Sequence, residues 1–132
     1  MKKKRHQILN RFRFGLILLM SAGTLHMNVL GQNLGGVELV KVYPRVLTPN
    51  NDQLNDVVFF EFDSDISGYP IDTNIHDING AKVSSMVINN NNSKFLVWDG
   101  KYESGEVANA GIYIYSIKIG KNIATGTVVV AK

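Results

Sequence analysis

The sequence predicts an all-β fold, a sandwich of two antiparallel sheets with about seven strands. From Val37 onward, no helical periodicity of useful length is present. Short runs rich in β-branched and aromatic residues alternate there with turn signals. The runs have one apolar and one polar side, which is typical of half-buried strands in antiparallel sheets. A closed barrel is the alternative architecture.

The first three predicted strands are Val37–Tyr43, Val57–Phe62 and Ile71–Ile78. Pro44 ends the first strand, because proline cannot donate a hydrogen bond to a ladder. In the second strand, Phe60 and Phe62 lie on one side with Val58, and we assign that side to the core.

The later predicted strands are Lys82–Ile88, Phe95–Trp98, Gly111–Ile119 and Ile123–Ala131. Asn79-Gly80 predicts a type I′ turn that returns the chain from the third strand to the fourth. Alternation is clearest in Gly111–Ile119, where Tyr113 and Tyr115 share the core side. The seven runs together favour an immunoglobulin-like antiparallel β-sandwich.

The N-terminal residues have the pattern of an export signal. Six of the 14 basic residues fall within the first thirteen positions, and a short apolar run follows from Phe14. That run is too short for the ~20 residues of a membrane span, so a signal peptide is favoured over an anchor. The predicted organisation is therefore a signal peptide at 1–31, a short linker at 32–36 and the sandwich domain at 37–132.

Charge excludes nucleic acid as a favoured partner. All 11 acidic residues lie after position 37, so residues 32–132 carry 8 basic and 11 acidic side chains, a net charge of −3. Nucleic-acid binding needs a basic face on the folded domain. The chain has no cysteine, so no disulfide can support its core.

The sequence offers no constellation for catalysis. It has no cysteine nucleophile and no Gly-x-Ser-x-Gly elbow, and His76 is the only histidine after residue 31. A lone histidine within a strand is more often a partly exposed sheet residue than a general base. We therefore expect a protein that is not an enzyme.

One loop has the composition of a calcium site. Asn50, Asp52 and Asp56 follow one another at short spacing, and hard cations take several oxygen ligands from one tight loop. The alternative is that these Asn and Asp side chains cap their own turns. Calcium at these three residues is the candidate cofactor.

Trp98 and Tyr102 are the candidate ligand-binding residues. A tryptophan at a strand end can stack on a sugar, although it more often fills the core and finds a backbone partner for its N–H. Both interpretations remain open from the sequence.

Several motifs resemble one family in order and spacing. Thr48-Pro-Asn-Asn-Asp-Gln-Leu-Asn-Asp56 resembles the Thr-Pro-Asn-Gly-Asp-Gly-x-Asn-Asp opening of gliding-motility-associated C-terminal domains, which belong to substrates of the type IX secretion system. The C-terminal motifs of that family are similar to three segments of this chain: Trp98-Asp-Gly100, Gly105 and Ala110-Gly-Ile-Tyr-Ile-Tyr115. The same C-terminal motifs occur in the immunoglobulin-like domain of the flagellar hook-capping protein. Asn51 and Gln53 stand where the family has glycine.

The resemblance implies an exported, non-catalytic module that acts in sorting to, attachment to or assembly on the cell surface. Its partners would be secretion or surface-attachment machinery, or another exported protein. Two alternatives are an extracellular ligand-binding module for polysaccharide or protein, and a scaffold domain similar to that of the hook cap.

Overall fold

The structure is a computed structural model that describes residues 31–132. The predicted signal peptide lies, apart from Gly31, outside the described residues. Ten strands form this part of the chain: β1 Gln32–Asn33, β2 Glu38–Tyr43, β3 Val46–Leu47, β4 Val58–Phe62, β5 Ile71–His76, β6 Lys82–Ser84, β7 Val87–Ile88, β8 Phe95–Trp98, β9 Gly111–Ile119 and β10 Asn122–Val130. From Gly31 to the last residue, no helix is long and apolar enough to cross a membrane.

The strands form two sheets of five. The first sheet has the order β1-β2-β4-β8-β7 and the second has the order β3-β10-β9-β5-β6. All pairs are antiparallel except β3 with β10, which is parallel. This is the strand order of an immunoglobulin sandwich whose first long strand moves from one sheet to the other. The predicted fold class is confirmed.

The core lies between the sheets, where alternate residues of both meet. Phe60 on β4 and Tyr115 on β9 are fully buried at its centre, with ring centroids 4.8 Å apart in an edge-to-face arrangement. Gly126 on β10 makes room for the Tyr115 ring, because a Cβ at that position would lie 2.6 Å from Cζ of the tyrosine. The side predicted as the core side of β4 and of β9 is the buried one.

The segment 32–36, predicted as a linker, is part of the sandwich. Gln32 and Asn33 pair with β2 as strand β1, and Leu34 is buried in the core. The sequence signal was weak because a two-residue strand has no visible alternation, and glycines at 35 and 36 are typical of linkers.

Two further differences concern the hairpin after β5. The turn is closed by hydrogen bonds from Asn79 N–H and Ala81 N–H to Asp77 Oδ1, and only Gly80 of the predicted turn pair has a positive φ, 84°. The type I′ prediction is therefore wrong. The returning strand is also split, because Met86 turns into the core and its backbone exchanges two hydrogen bonds with Thr73 Oγ1.

All four sheet edges in the described part of the chain are short strands. The edge strands β1, β3, β6 and β7 have two or three residues each. A short edge strand itself offers few unpaired backbone groups for another chain to join.

Candidate functional site

The motif segments meet at one end of the sandwich. β3, β8 and β10 all end there, so the loop at 48–57, the loop at 99–110 and the last two residues are neighbours. Ala131 N–H donates to the Leu47 carbonyl over 2.8 Å, and a Cβ at Gly100 would lie 3.1 Å from Pro49 Cγ. We call this set of segments the motif end. Its main concavity, about 510 Å³, is lined by Thr48, Pro49, Asn50, Asp52, Val107, Ala131 and Lys132.

The Asp56 carboxylate organises the loop at 48–57 from within. Its Oδ1 accepts hydrogen bonds from the N–H groups of Asn50 and Asn51, both over 2.9 Å. Its Oδ2 accepts a bond of 2.8 Å from Gln53 N–H. Successive backbone N–H groups that converge in this way form a nest for an anion, and here Asp56 itself is the anion.

The pKa of Asp56 is set by two opposing effects. Desolvation raises it, but the three backbone hydrogen bonds from Gln53, Asn51 and Asn50 together outweigh desolvation, so the pKa lies below that of an ordinary aspartate. A lowered pKa in the folded state means that the ionised carboxylate stabilises the fold at neutral pH. That stabilisation is lost as pH falls through the folded-state pKa.

We expect the stability of wild-type protein to fall more steeply in acid than that of Asp56→Asn. Asparagine keeps one acceptor oxygen but has no charge to titrate, so its stability at neutral pH is lower and its acid slope is shallower. Urea unfolding from about pH 7 to about pH 2 measures both quantities. Asp99→Asn is the control, since the Asp99 carboxylate accepts one backbone bond, from Lys101 N–H. Equal acid slopes for Asp56→Asn and wild type would contradict this role.

Every second residue from 51 to 55 in the same loop has a left-handed backbone conformation. Asn51, Gln53 and Asn55 have φ values of 63°, 69° and 56°. Two of these positions, 51 and 53, are those at which the resembling family has glycine. A left-handed conformation costs an L-residue about 1–2 kcal/mol, and the cost is smallest for asparagine. Gln53 is therefore the most strained of the three residues.

We expect Gln53→Gly to raise the free energy of unfolding by about 0.5–1 kcal/mol, because glycine adopts a positive φ without the Cβ clash. Leu54→Gly is the matched control: Leu54 is 68% exposed and is not among the positive-φ residues. It should lower stability through the greater chain entropy of glycine. Urea unfolding compares the two. A gain from both variants, or from neither, would refute the assignment of strain to position 53.

The predicted calcium ligands are brought together, and four of their side-chain oxygens accept backbone N–H groups. Asn50 Oδ1 accepts from Asp52 N–H over 3.0 Å, and Asp52 Oδ1 accepts from Leu54 N–H over 2.8 Å. Both oxygens of Asp56 accept backbone N–H groups, as described above. Across residues 31–132, no cluster of three or more His, Cys, Asp or Glu side chains has the geometry of a metal site. These bonds are turn caps of the kind that the alternative describes, and calcium at these residues stays a prediction.

Trp98 lies in the core and does not reach the surface. It is 2% exposed, and its Nε1–H donates to the Lys101 carbonyl over 2.9 Å. A buried indole has no free face for a sugar, so ligand stacking on Trp98 does not fit this structure. The sequence left this open because a strand-end tryptophan can lie on either side of a sheet.

Tyr102 is half-buried and engaged in a network that the sequence did not predict. Its hydroxyl lies 3.2 Å from that of Tyr113 and accepts a bond from Asn109 N–H. Tyr113 donates in turn to the Asn109 carbonyl over 2.8 Å, which is the tyrosine corner of immunoglobulin-like domains. Burial, followed by the Tyr102 hydroxyl, raises the pKa of Tyr113 to about 12, so this donor keeps its proton. The Gly-x-Tyr pattern at the start of β9 is the sequence feature from which this tyrosine corner could have been predicted.

A family model matches the part of the chain that holds these loops. The family described as "CHU_C Type IX secretion signal domain" matches residues 40–130, which include β3 to β10 and the motif loops. No curated protein matches the chain significantly. Among solved structures, CopC from Methylosinus trichosporium OB3b is 16% identical with a TM-score of 0.35, covering 57% of this chain and 74% of that one. The family match covers more than half of the chain, and this protein belongs to the type IX secretion signal domain family.

Proposed function

We propose that this domain is an export address, read by the type IX secretion machinery at the motif end and directing the protein to the cell surface. The observation that carries the proposal is the family match over residues 40–130. Membership of that family supports a non-catalytic, secretion-related module. Localisation at the surface, attachment there and a role in gliding motility are the finer parts of the proposal.

The arrangement of the motif end supports recognition there. Its loops are held by the Asp56 nest, by the packing of Gly100 against Pro49 and by the tyrosine corner, so their shape is fixed before any partner binds. A preformed surface loses little conformational entropy on binding. The exposed apolar side chains of Leu54 and Val107 lie at this end.

A reporter fusion tests the proposal. Residues 31–132 are placed after a reporter that carries a general export signal, and surface and medium fractions are assayed with and without an active type IX translocon. We expect the reporter to leave the cell only with the translocon. Release that does not depend on it would overturn the proposed route.

Paired surface variants test the place of recognition. Leu54→Asp with Val107→Asp should abolish export without lowering the melting temperature, because both side chains are exposed. The control is Ile123→Asp, which changes an exposed isoleucine at the start of β10, at the opposite end of that strand from Val130 and the motif end. Normal export of the double variant would place recognition elsewhere on the domain.

The two alternatives make different predictions. Binding of polysaccharide or protein was based on Trp98 and Tyr102, of which Trp98 is buried and Tyr102 is half-buried. It predicts a change in tryptophan fluorescence during a glycan titration. A scaffold role similar to that of the hook-capping domain predicts self-association, which size-exclusion chromatography with light scattering would detect. A monomer at all accessible concentrations would count against the scaffold role.

A further inference from the structure

Within residues 31–132, one stretch of β10 has no strand paired along its edge. β9 pairs with β10 along its whole length, whereas β3 pairs only with Val129 and Val130. Val129 N–H donates to the Arg45 carbonyl, so odd-numbered residues of β10 direct their backbone groups to the β3 side. The groups of Ile123, Thr125 and Thr127 therefore lie along the part that β3 leaves open. We call these three residues the β10 edge.

The Gln32 side chain occupies the centre of the β10 edge. Its Nε2 donates to the Thr125 carbonyl over 3.1 Å, and Thr125 N–H donates to its Oε1 over 3.1 Å. These are the two bonds that a residue of a neighbouring strand exchanges in a ladder. Gln32 belongs to β1 in the other sheet, so its amide bridges the open side of the sandwich. The edge thus already pairs with a peptide-like amide, although no strand of residues 31–132 lies there.

Basic side chains flank the β10 edge in a domain whose net charge is negative. Strands β9 and β10 contain one charged residue, Lys118, and no carboxylate. Lys121 lies in the turn before β10, and Arg45 precedes the strand that pairs with its far end. The Asp72 carboxylate belongs to β5, which pairs with β9 from its other side. The Glu38 carboxylate lies beside Gly31, next to Gln32. The basic side chains at the two ends of the edge therefore favour acidic over basic partners at those ends.

We propose that the β10 edge is a strand-addition site for an extended peptide segment of another polypeptide, uncharged in its middle and acidic at its ends, and that the Gln32 side chain plugs this site. The incoming backbone would replace the two bonds of Gln32 and add bonds to Ile123 and Thr127. β1, a strand of two residues, must move aside. This inference concerns the folded domain and does not depend on the export route.

A second copy of the chain fits the edge less well. Antiparallel pairing of two β10 edges about Thr125 would place Lys121 of one copy opposite Val129 of the other, next to Arg45. Like charges in neighbouring positions of a sheet are destabilising. The same charges attract a segment with carboxylates at its ends.

The probe is a fluorescent peptide of sequence Glu-Glu-Thr-Val-Thr-Val-Thr-Glu-Glu, titrated into the full chain and followed by anisotropy. We expect weak binding to wild type and about tenfold tighter binding to Gln32→Ala, which removes two competing hydrogen bonds. The matched control is Gln53→Ala, the same chemical change in an exposed loop at the motif end, which should leave binding unchanged. A peptide with lysine in place of glutamate should bind at least about tenfold more weakly.

Two further measurements keep the proposal open to refutation. Methylating the backbone nitrogens of alternate residues on one edge of the peptide should abolish binding, because that edge could then no longer donate to β10. Thr127→Pro removes an N–H of the β10 edge and should weaken binding, which gives a second variant if Gln32→Ala melts early. Equal binding to wild type and Gln32→Ala, or undiminished binding of the methylated peptide, would overturn the proposal. Self-association of Gln32→Ala without a gain in peptide affinity would assign the edge to a second copy instead.

Discussion

Phe60→Ala should lower the free energy of unfolding by about 3–5 kcal/mol, the range for deleting a large buried aromatic side chain. Phe60 is fully buried, lies on the central strand β4 and contacts the Tyr115 ring across the core. A domain of this size is stable by only about 5–15 kcal/mol, and this one has no disulfide to compensate. The loss is a large share of that total, so the urea midpoint and the melting temperature should both fall strongly, as urea unfolding and circular dichroism melting would show.

The neighbouring residue provides the control. Phe59 has the same side chain on the opposite face of β4, where it is half-buried and stacks on Tyr43 with ring centroids 5.8 Å apart. Phe59→Ala removes a surface contact and leaves no closed cavity, so it should destabilise far less than Phe60→Ala. Equal effects of the two variants would mean that the inner and outer faces of this sheet have been assigned incorrectly.

Trp98→Ala should also destabilise by about 3–5 kcal/mol, and its effect should spread into the loop at 99–110. The indole packs against Tyr113 with ring centroids 5.5 Å apart, and its N–H donates a hydrogen bond to the Lys101 carbonyl. Without it, the loop loses both its packing and one of its hydrogen bonds. Hydrogen exchange by mass spectrometry should show faster exchange at 99–110 in addition to a lower global stability.

Two variants separate packing from hydrogen bonding at this place. Trp98→Phe keeps most of the apolar contact but cannot donate to Lys101, so its effect should be smaller. Tyr102→Phe keeps Trp98 and removes the bonds of the Tyr102 hydroxyl to Tyr113 and Asn109. If Trp98→Ala lowered global stability but left exchange at 99–110 unchanged, the loop would owe its order to the tyrosines alone.

The long strands were predictable because alternation reports directly on a sheet with one buried face. β4 and β9 show this best, since inward aromatic residues recur at every second position. Places where the chain changes sheets were not predictable in the same way. At Pro44 and again near Met86, the chain leaves one sheet and joins the other, and the sequence shows only a proline or an ordinary apolar residue. Such changes are decided by packing between distant strands.

At the motif end, too, some features could be predicted from the sequence and others could not. Positions 51 and 53 could be identified as left-handed from the glycines of the resembling family, and both have positive φ. The composition of the loop suggested ligands for a cation, whereas the folded loop turns backbone N–H groups toward the Asp56 carboxylate. Composition lists the oxygens available in a loop but does not say whether N–H groups already use them. Trp98 illustrates the same limit, since its residue type fits both a core and a binding surface.

The short edge strands bear on how densely the domain can be packed on a surface. Proteins held side by side at high local concentration risk polymerising through their sheets, as in domain swapping or amyloid. Between Gly31 and Lys132, each outermost strand is too short to nucleate such growth, and Gln32 covers the middle of the longest open stretch. Neighbouring molecules could then form a crowded coat while each remains a separate folded unit.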